Sequence, residues 1–407
     1  MTTPLFAPLR GLCPVPERAG EIAELPYDVM SRAEAIEMAA DRPWSFLHVS
    51  RPDIDLPEGA PVDEGHALAA AALQRLVDSG LLRRDDEARF HVYRMSDGDH
   101  SQVGVIGAAS IEAYESGRIR RHETTRPVKQ AERAHQIEAV NAQTGPVYVV
   151  HHPDAVVEQV TAEVTSRPAP TAVVGHGGVR HEIWPVEDTD AVARLVKAFD
   201  AMPALYIADG HHRSAAAAVV HERRGTPASE RFLAVAFPTD QVRIMPYNRV
   251  VLGREGVTGA VLINALTSRF DVNPASGPVV PQTPGEVGVY TEGRWSTLVL
   301  PRDDQPGDGA GAADQLDVAR LQQHVLEPIL GIADPRTDPR IGFVGGVRAP
   351  SELEAAVDEG RWTAAFTLYP TSIDQLVAVA DGGGIMPPKS TWFEPKLLDG
   401  LVSLVLD

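Results

Sequence analysis

The chain has 407 residues, more than one ordinary core holds, so roughly two or three domains are expected. A formal net charge of −19 repels nucleic acid and anionic membrane at long range and disfavours both as partners. The single cysteine, Cys13, forbids an intramolecular disulfide and any CxxC zinc site, and reads as a bystander.

The start, Met1 to Phe6, has no basic segment followed by an apolar stretch, so no signal peptide is expected. No run of about 18 apolar residues follows, so no membrane span is expected and a reducing cytoplasm is the anticipated compartment. Along the chain, Pro26-Tyr27-Asp28-Val29 either puts Asp28 in a cleft or forms an Asx turn. Ser31 to Ala40 predicts a helix with Ser31 as N-cap and Glu34 completing a capping box. Asp63 to Ser79 predicts a second helix, with Leu68, Ala71, Ala72, Leu76 and Val77 on one face and Gly80 as its stop. Phe90 to Met95 and Val103 to Gly107 predict paired strands around a turn at Ser96 to Asp99.

Glu132 to Asn141 predicts a helix, and Val147 to His151 a strand whose end, His151-His152, reads as a solvated pair. His181 to Val186 predicts another strand, then Thr189 to Ala201 a helix closed by Pro203. Ala204 to Ala208 is an apolar strand, Asp209-Gly210 a sharp turn, and Arg213 to Arg224 an alanine-rich helix, followed by a buried strand over Phe232 to Phe237. Asn273 to Gly288 and Arg302 to Ala313 are rich in glycine, proline or acid and predict loops. Module boundaries are placed near 100 and 250, which gives 1–100, 101–250 and 251–407. Neither GxGxxG opening a helix nor GxxxxGK[ST] occurs, so the dinucleotide and P-loop readings have no support.

Three constellations carry chemistry. The first is Asp209-Gly210-His211-His212-Arg213, at a junction from strand to helix. Backbone N–H groups and the positive helix end converge there on one point, which suits a phosphate. Gly210 lets the backbone approach a ligand, Asp209 is placed to hold Mg²⁺, and Arg213 offers a planar fork. His211 and His212 add donors or proton carriers. The second is Arg118 to Pro127, a basic run in an acidic protein, with His122-Glu123 at its centre and Arg126 near its end. His122-Glu123 is not HExxH, because position 126 is arginine. The third is the tail Gly382 to Lys396, where Lys389, Ser390 and Thr391 can cradle an anionic group. Each also has a plain reading, as a polar cap, a solvated charge run or a structural loop.

From end to end the chain resembles the DUF1015 family. The resemblance rests on Leu25 to Val29, Ser45 to Val49, Arg121 to Glu123, Arg126-Pro127, Leu205 to Arg213, Tyr247 to Arg249, Phe343 to Gly346 and Met386 to Phe393. More distantly, three short segments are similar to the free-serine kinases with a ParB/sulfiredoxin-like fold: His122-Glu123, Asp209 to Arg213, and Pro387 to Thr391. The order agrees, while the spacing between the first two is longer here and Pro387 and Ser390 depart from that family's tail pattern. This second resemblance implies Glu123 as general base. It implies that Asp209, His211, His212 and Arg213 hold the transferred phosphate and Mg²⁺, and that Lys389, Ser390 and Thr391 grip the acceptor. Gly210 and Arg126 join the phosphate site, and His122 the substrate site.

The reading is an α/β fold with a mixed sheet, a ParB/sulfiredoxin-like core and an additional N-terminal α/β module. Its expected work is ATP- or ADP-dependent phosphorylation of free L-serine or a similar hydroxylated metabolite, with homo-oligomerisation left open. Two rivals stand beside it: a phosphohydrolase on the same site, and a non-enzymatic ParB-like nucleotide-binding protein associated with DNA.

Overall fold

The structure is a computed structural model that describes residues 3–301, 311–346 and 350–407. The chain divides into two compact units, Met1–Val242 with Pro395–Asp407, and Arg243–Glu394. Most of the expected loop Arg302 to Ala313 lies outside the described residues.

The first unit is built on a nine-stranded mixed sheet. Its spatial order is Ile119–Arg120, Leu205–Asp209, Val147–His151, Arg231–Pro238, His100–Ser110, His91–Asp97, Arg180–Pro185 and Thr171–Val174, with Phe6–Ala7 added beside His100–Ser110. Leu205–Asp209 pairs in parallel with Ile119–Arg120, and Arg231–Pro238 in parallel with Val147–His151; the other pairings are antiparallel. The central strands are buried along nearly their whole length, because helices such as Ala155–Thr165 and Thr189–Ala201 pack on the sheet. Near-continuous apolar runs of this kind suit strands covered on both faces.

A four-stranded sheet, in the order Leu82–Arg84, Gly11–Pro14, Ser403–Val405 and Ala142–Gln143, joins the first residues of the chain to its last. A second apolar core, with Leu12, Ile22, Phe46, Leu73 and Leu76, lies beside it. The mixed α/β class expected from sequence is the class observed. The boundary near 100 is not. Asp97 pairs with His100 across Gly98-Asp99, so residue 100 sits inside a tight hairpin of the large sheet.

The capping box at Ser31 and Glu34 forms as the spacing predicts. The helix Val62–Asp78 also forms, but its buried face differs from the expected one. Gly65, His66, Ala69, Ala72, Leu73 and Leu76 are buried, while Leu68 and Val77 are 38% and 37% exposed. His151 is buried rather than solvated, with Nδ1 donating to the His152 carbonyl at 2.8 Å.

The second unit holds a six-stranded sheet in the order Val272–Ala275, Arg294–Val299, Glu286–Thr291, Ala364–Leu368, Tyr247–Val251 and Ile341–Gly345. Both ends of the expected loop Asn273 to Gly288 are therefore strands. The strand Glu286–Thr291 is buried from Val287 onward, Gly288 included, so it carries no in-and-out alternation that the sequence could have shown. A separate pair joins Arg243–Met245 to Trp392–Glu394. Among the described residues, no helix is long and apolar enough to cross a membrane.

Gly104 lies in the buried strand His100–Ser110, where a Cβ would come 2.7 Å from the Phe237 ring and 2.8 Å from the Ala236 carbonyl. Gly104→Ala is expected to destabilise the first unit by about 1–3 kcal/mol in urea unfolding, as overpacking does. Gly20→Ala, with nothing within 4 Å, is the matched control and should leave the midpoint in place.

Candidate functional site

The strand Leu205–Asp209 is an apolar run that buries four of its five residues and leaves the Asp209 carboxylate half-buried at its end. Gly210 follows with φ +98°, a left-handed backbone that favours glycine. The 14-residue helix His211–Arg224 starts at once, and no side chain caps its first turn. The first N–H groups of this helix have no partner within the helix, and the helix dipole stands behind them, although Gly210, His211 and Arg213 are themselves buried.

The segment after Ile119–Arg120 is held onto that helix start. The His122 N–H donates to His211 Nε2 at 3.4 Å, and the Arg126 N–H donates to His212 Nε2 at 3.2 Å. Since both Nε2 atoms accept, each neutral ring carries its proton on Nδ1. His211 Nδ1 points at Glu123 Oε2, 3.9 Å away. The His122 ring lies edge-on to His211 at 4.5 Å between centroids. Burial pushes the His211 imidazole down to about 3 against the pull of Asp209, and burial with His211 beside it pushes His122 to about 3. Both rings are neutral at physiological pH, so they act here as dipoles, not cations.

Asp209 is tightly held. Its Oδ1 accepts from the Gly210 N–H at 2.8 Å, and its Oδ2 lies 3.5 Å from Arg213 Nη2 and 3.6 Å from Lys396 Nζ. Arg213 was expected as a fork aimed at phosphate. Instead its side chain is 9% exposed and turned inward, with Nη1 donating to the Pro146 carbonyl. Burial works against its charge, but Asp209, Asp28, Tyr27 and Asp399 outweigh it and hold the guanidinium ionised. The arginine run is also partly spent on the protein. Arg118 donates to the carbonyls of Asp200 and Met202, and Arg121 to the Tyr114 hydroxyl. Arg126 stays exposed beside the helix start.

The structure thus gathers His122, Glu123, Arg126, Asp209, Gly210, His211, His212 and Arg213 around one helix N-terminus. Sequence reading took Lys396 only as the end of the tail constellation, with no role of its own, and missed Asp399; both return to the first unit with the tail. Asp399 is 1% exposed and its carboxyl is pushed up to about 8 by burial, with Arg213 opposing and Asp28 adding.

Lys389, Ser390 and Thr391 belong to the second unit. The Ser390 hydroxyl donates to the Pro387 carbonyl at 2.7 Å, and the Ser390 carbonyl accepts from Thr371 Oγ1 at 2.9 Å, so Ser390 shapes the loop rather than offering a free donor. Buried Arg249 donates to the Pro388 carbonyl at 3.2 Å and fixes the same loop. Lys389 is exposed at φ +60°, with Nζ 5.6 Å from the Tyr247 ring centre, an unusual backbone for a lysine.

A family described as "Protein of unknown function (DUF1015)" matches residues 6–319. Among curated proteins nothing matches the chain. Among solved structures it is similar to a free serine kinase mutant in complex with ADP, at 11% identity and TM-score 0.37, over 71% of this chain and 87% of that one. It is similar to a conserved hypothetical protein from Pyrococcus furiosus, at 12% identity and TM-score 0.35, over 73% and 93%. It is also similar to SbnI with a C-terminal truncation from Staphylococcus aureus, at 12% identity and TM-score 0.37, over 74% and 87%.

The Asp399 carboxyl makes the stability of this cluster depend on pH. Its folded value, about 8, lies above its ordinary 3.8, so the stability it contributes is full below 3.8 and is lost as pH rises through 8. Arg213 and Arg133 oppose the shift and Asp28 favours it. Asp399→Asn cannot ionise. Its thermal midpoint should gain on the wild type between about pH 5 and pH 8, by about 2–4 °C for each kcal/mol released. A constant difference across that range would show that Asp399 is already charged in the fold.

Proposed function

The chain belongs to the DUF1015 family, and from that starting point we propose that it is a phosphoryl-transfer enzyme of small molecules. The observation that carries this reading is the uncapped helix start at His211, flanked by Glu123 and Asp209 and by two histidines held neutral. Phosphoryl transfer asks a protein mainly for positioning, for hydrogen-bond donors on the phosphate oxygens, and for one base on the acceptor hydroxyl.

In this reading the backbone N–H groups after Gly210 receive a phosphate of ATP or ADP, and exposed Arg126 adds charge from the side. His212 fixes the Arg126 backbone and so sets the distance between the two. Glu123 takes the proton of the acceptor hydroxyl. His211, with its proton on Nδ1, faces the Glu123 carboxylate and orients it. Arg213 is a positioning residue that holds Asp209 and the Pro146 loop in place.

Mg²⁺ fits Asp209 in kind, since this ion takes one or two carboxylates and completes its shell with phosphate and water oxygens. Asp209 would then be the protein ligand, and the ion would supply charge neutralisation on the phosphates. Arg213 and Lys396 share the same carboxylate oxygen and limit how strongly an ion binds before nucleotide arrives. The acceptor, free L-serine or a similar hydroxylated metabolite, and its capture by Lys389 and Thr391 are proposed on the sequence resemblance alone.

Glu123→Gln keeps size and hydrogen-bonding reach and removes basicity. We expect nucleotide binding to survive and transfer to fall by about 10²–10⁴-fold. The measurement is phosphorus NMR of a metabolite pool incubated with ATP or ADP and Mg²⁺. A Gln variant that keeps its turnover removes Glu123 from the chemistry. Release of inorganic phosphate without a phosphorylated acceptor turns the reading to a phosphohydrolase.

A second expectation concerns Lys389→Ala. The Michaelis constant for the acceptor should rise by about ten-fold or more while that for the nucleotide stays within two-fold, the cost of one charged hydrogen bond being about 1.5–3 kcal/mol. Equal effects on both constants would make Lys389 a loop residue only.

A further inference from the structure

Far along the sequence from Asp209, three chemically different ligands meet. Cys13 lies in the strand Gly11–Pro14, Asp85 follows the strand Leu82–Arg84, and His91 opens the strand His91–Asp97. Backbone bonds fix all three. Leu12 and Cys13 pair with Arg84 and Arg83, the Asp85 N–H donates to the Gly11 carbonyl at 2.8 Å, and Leu9 and Arg89 exchange two bonds at 3.0 and 2.9 Å.

The ligand atoms converge as tightly as the backbone. Cys13 Sγ is 3.8 Å from His91 Nε2, His91 Nε2 is 3.3 Å from Asp85 Oδ2, and all three atoms lie within 4.8 Å of one another. Around a tetrahedral zinc ion, ordinary metal–ligand lengths put a sulfur and a nitrogen about 3.6 Å apart and a nitrogen and an oxygen about 3.4 Å apart. The two sides that meet at His91 already have the dimensions of a coordination shell, and the third closes within 4.8 Å.

Hydrogen bonding within the cluster does not account for it. One imidazole nitrogen faces both a thiol and a carboxylate. If Nε2 carries its proton it serves Asp85, and the thiol is left to compete for the same carboxylate. If Nε2 is bare it accepts from the thiol, and its lone pair then faces the carboxylate. A cation at the centre satisfies all three. Two further observations agree. His91 is 97% buried by its 3% exposure and is aimed into the cluster, and Asp85 Oδ2 is buried with no hydrogen-bond partner. Residue 11 is glycine, and a Cβ there would sit 3.0 Å from Cys13 Sγ and 3.1 Å from Asp85 Oδ2, closing the approach. Arg89 Nε lies 3.6 Å from the other Asp85 oxygen, Oδ1, and orients the carboxylate from outside, as supporting residues of metal sites do.

We propose that Cys13, Asp85 and His91 form a binding site for a zinc-type divalent ion, with water in the fourth position. Thiolate with imidazole and carboxylate selects zinc or cobalt over magnesium or calcium. Binding converts the Cys13 thiol to a thiolate–metal bond and releases its one proton to solvent. Partial exposure of Cys13 leaves the ion a way in. The site ties the four-stranded sheet, through Cys13, to the large sheet, through His91, and it stands independently of the proposed phosphoryl transfer.

The test uses the full chain, stripped with a chelator and titrated with Co²⁺. One equivalent should bind with thiolate-to-cobalt charge-transfer absorption in the near ultraviolet, and Zn²⁺ should displace it. Zn²⁺ should also slow alkylation of Cys13 by at least ten-fold and raise the thermal midpoint. Cys13→Ser should lose the absorption band and the Zn²⁺-induced rise, and Asp85→Asn should weaken Zn²⁺ at least ten-fold. No charge-transfer band in the wild type at a large excess of Co²⁺, or an alkylation rate unchanged by Zn²⁺, overturns the site whatever the variants do.

Discussion

The first unit is organised around a buried guanidinium. Arg213 stands behind the helix start, 8% exposed overall, and a charge in that position is tolerable only if it is paired and hydrogen-bonded. Its partners come from distant parts of the chain: Asp209 from the end of a central strand, the Pro146 carbonyl from the loop before the neighbouring strand, and Asp28 and Asp399 from the first and last segments. Removing Asp209 would leave the guanidinium short of its ion-pair partner, while Asp399, its carboxyl pushed up to about 8, adds polarity rather than full charge; the four segments meet at this one group. The backbone pairing of Glu24 with Asp399, at 3.1 and 2.8 Å, holds the two outermost of them together.

That lock has a chemical consequence. A guanidinium committed to its own protein cannot also be the fork that grips a ligand. Two histidines that burial holds near pKa 3 bring no charge either. Positive potential at the helix start therefore comes from backbone dipoles, from Arg126 and from Lys396 beside Asp209. In the proposed reading, such a site would recognise an anion mainly by geometry, through N–H groups fixed before the ligand arrives, which would lower the ordering cost of binding. In a chain of net charge −19, such local and directional attraction is also the kind that a long-range repulsive field disturbs least.

Local elements were legible in the sequence where the signal was itself local. The helix Thr189–Ala201 and the strand Val147–His151 have the bounds that their apolar pattern and Pro203 imply. The capping box at Ser31 is two residues that bond to each other. The burial of Val62–Asp78 was not legible, because the face it covers is chosen by partners elsewhere in the fold. Gly65 and His66 are buried there, while Leu68 is left 38% exposed. The candidate site divides in the same way. That Asp209 to Arg213 turns from strand into helix is written in five consecutive residues. That Arg213 points inward depends on Pro146 and Asp399, which no spacing rule connects to it. Ser390 looked like a donor for a ligand for the same reason: only the fold shows that the Pro387 carbonyl already takes its proton. Cys13, alone of its kind, carried no pattern until the long-range pairing of Gly11–Pro14 with Leu82–Arg84 brought Asp85 and His91 beside it.

The proposed magnesium site and the proposed zinc site would share one unit, and the affinity order of divalent ions creates a difficulty. Zinc binds almost any mixed site more tightly than magnesium does, so a magnesium site is kept for magnesium by withholding the ligands that zinc prefers. Asp209 lies next to two imidazoles, which would ordinarily invite zinc. The structure withholds both: His211 Nε2 and His212 Nε2 each accept a backbone N–H, from His122 and Arg126. The remaining nitrogen of each neutral ring then carries the proton and has no lone pair to offer. What is left at Asp209 is a carboxylate, a hard ligand that suits a hard ion brought in with phosphate oxygens. At Cys13 the conditions are reversed, since a thiol, an imidazole nitrogen and a carboxylate face one point. On the proposed reading, the same two backbone hydrogen bonds that seat the Arg118 to Pro127 segment on the helix would also determine which metal chemistry the helix start can host.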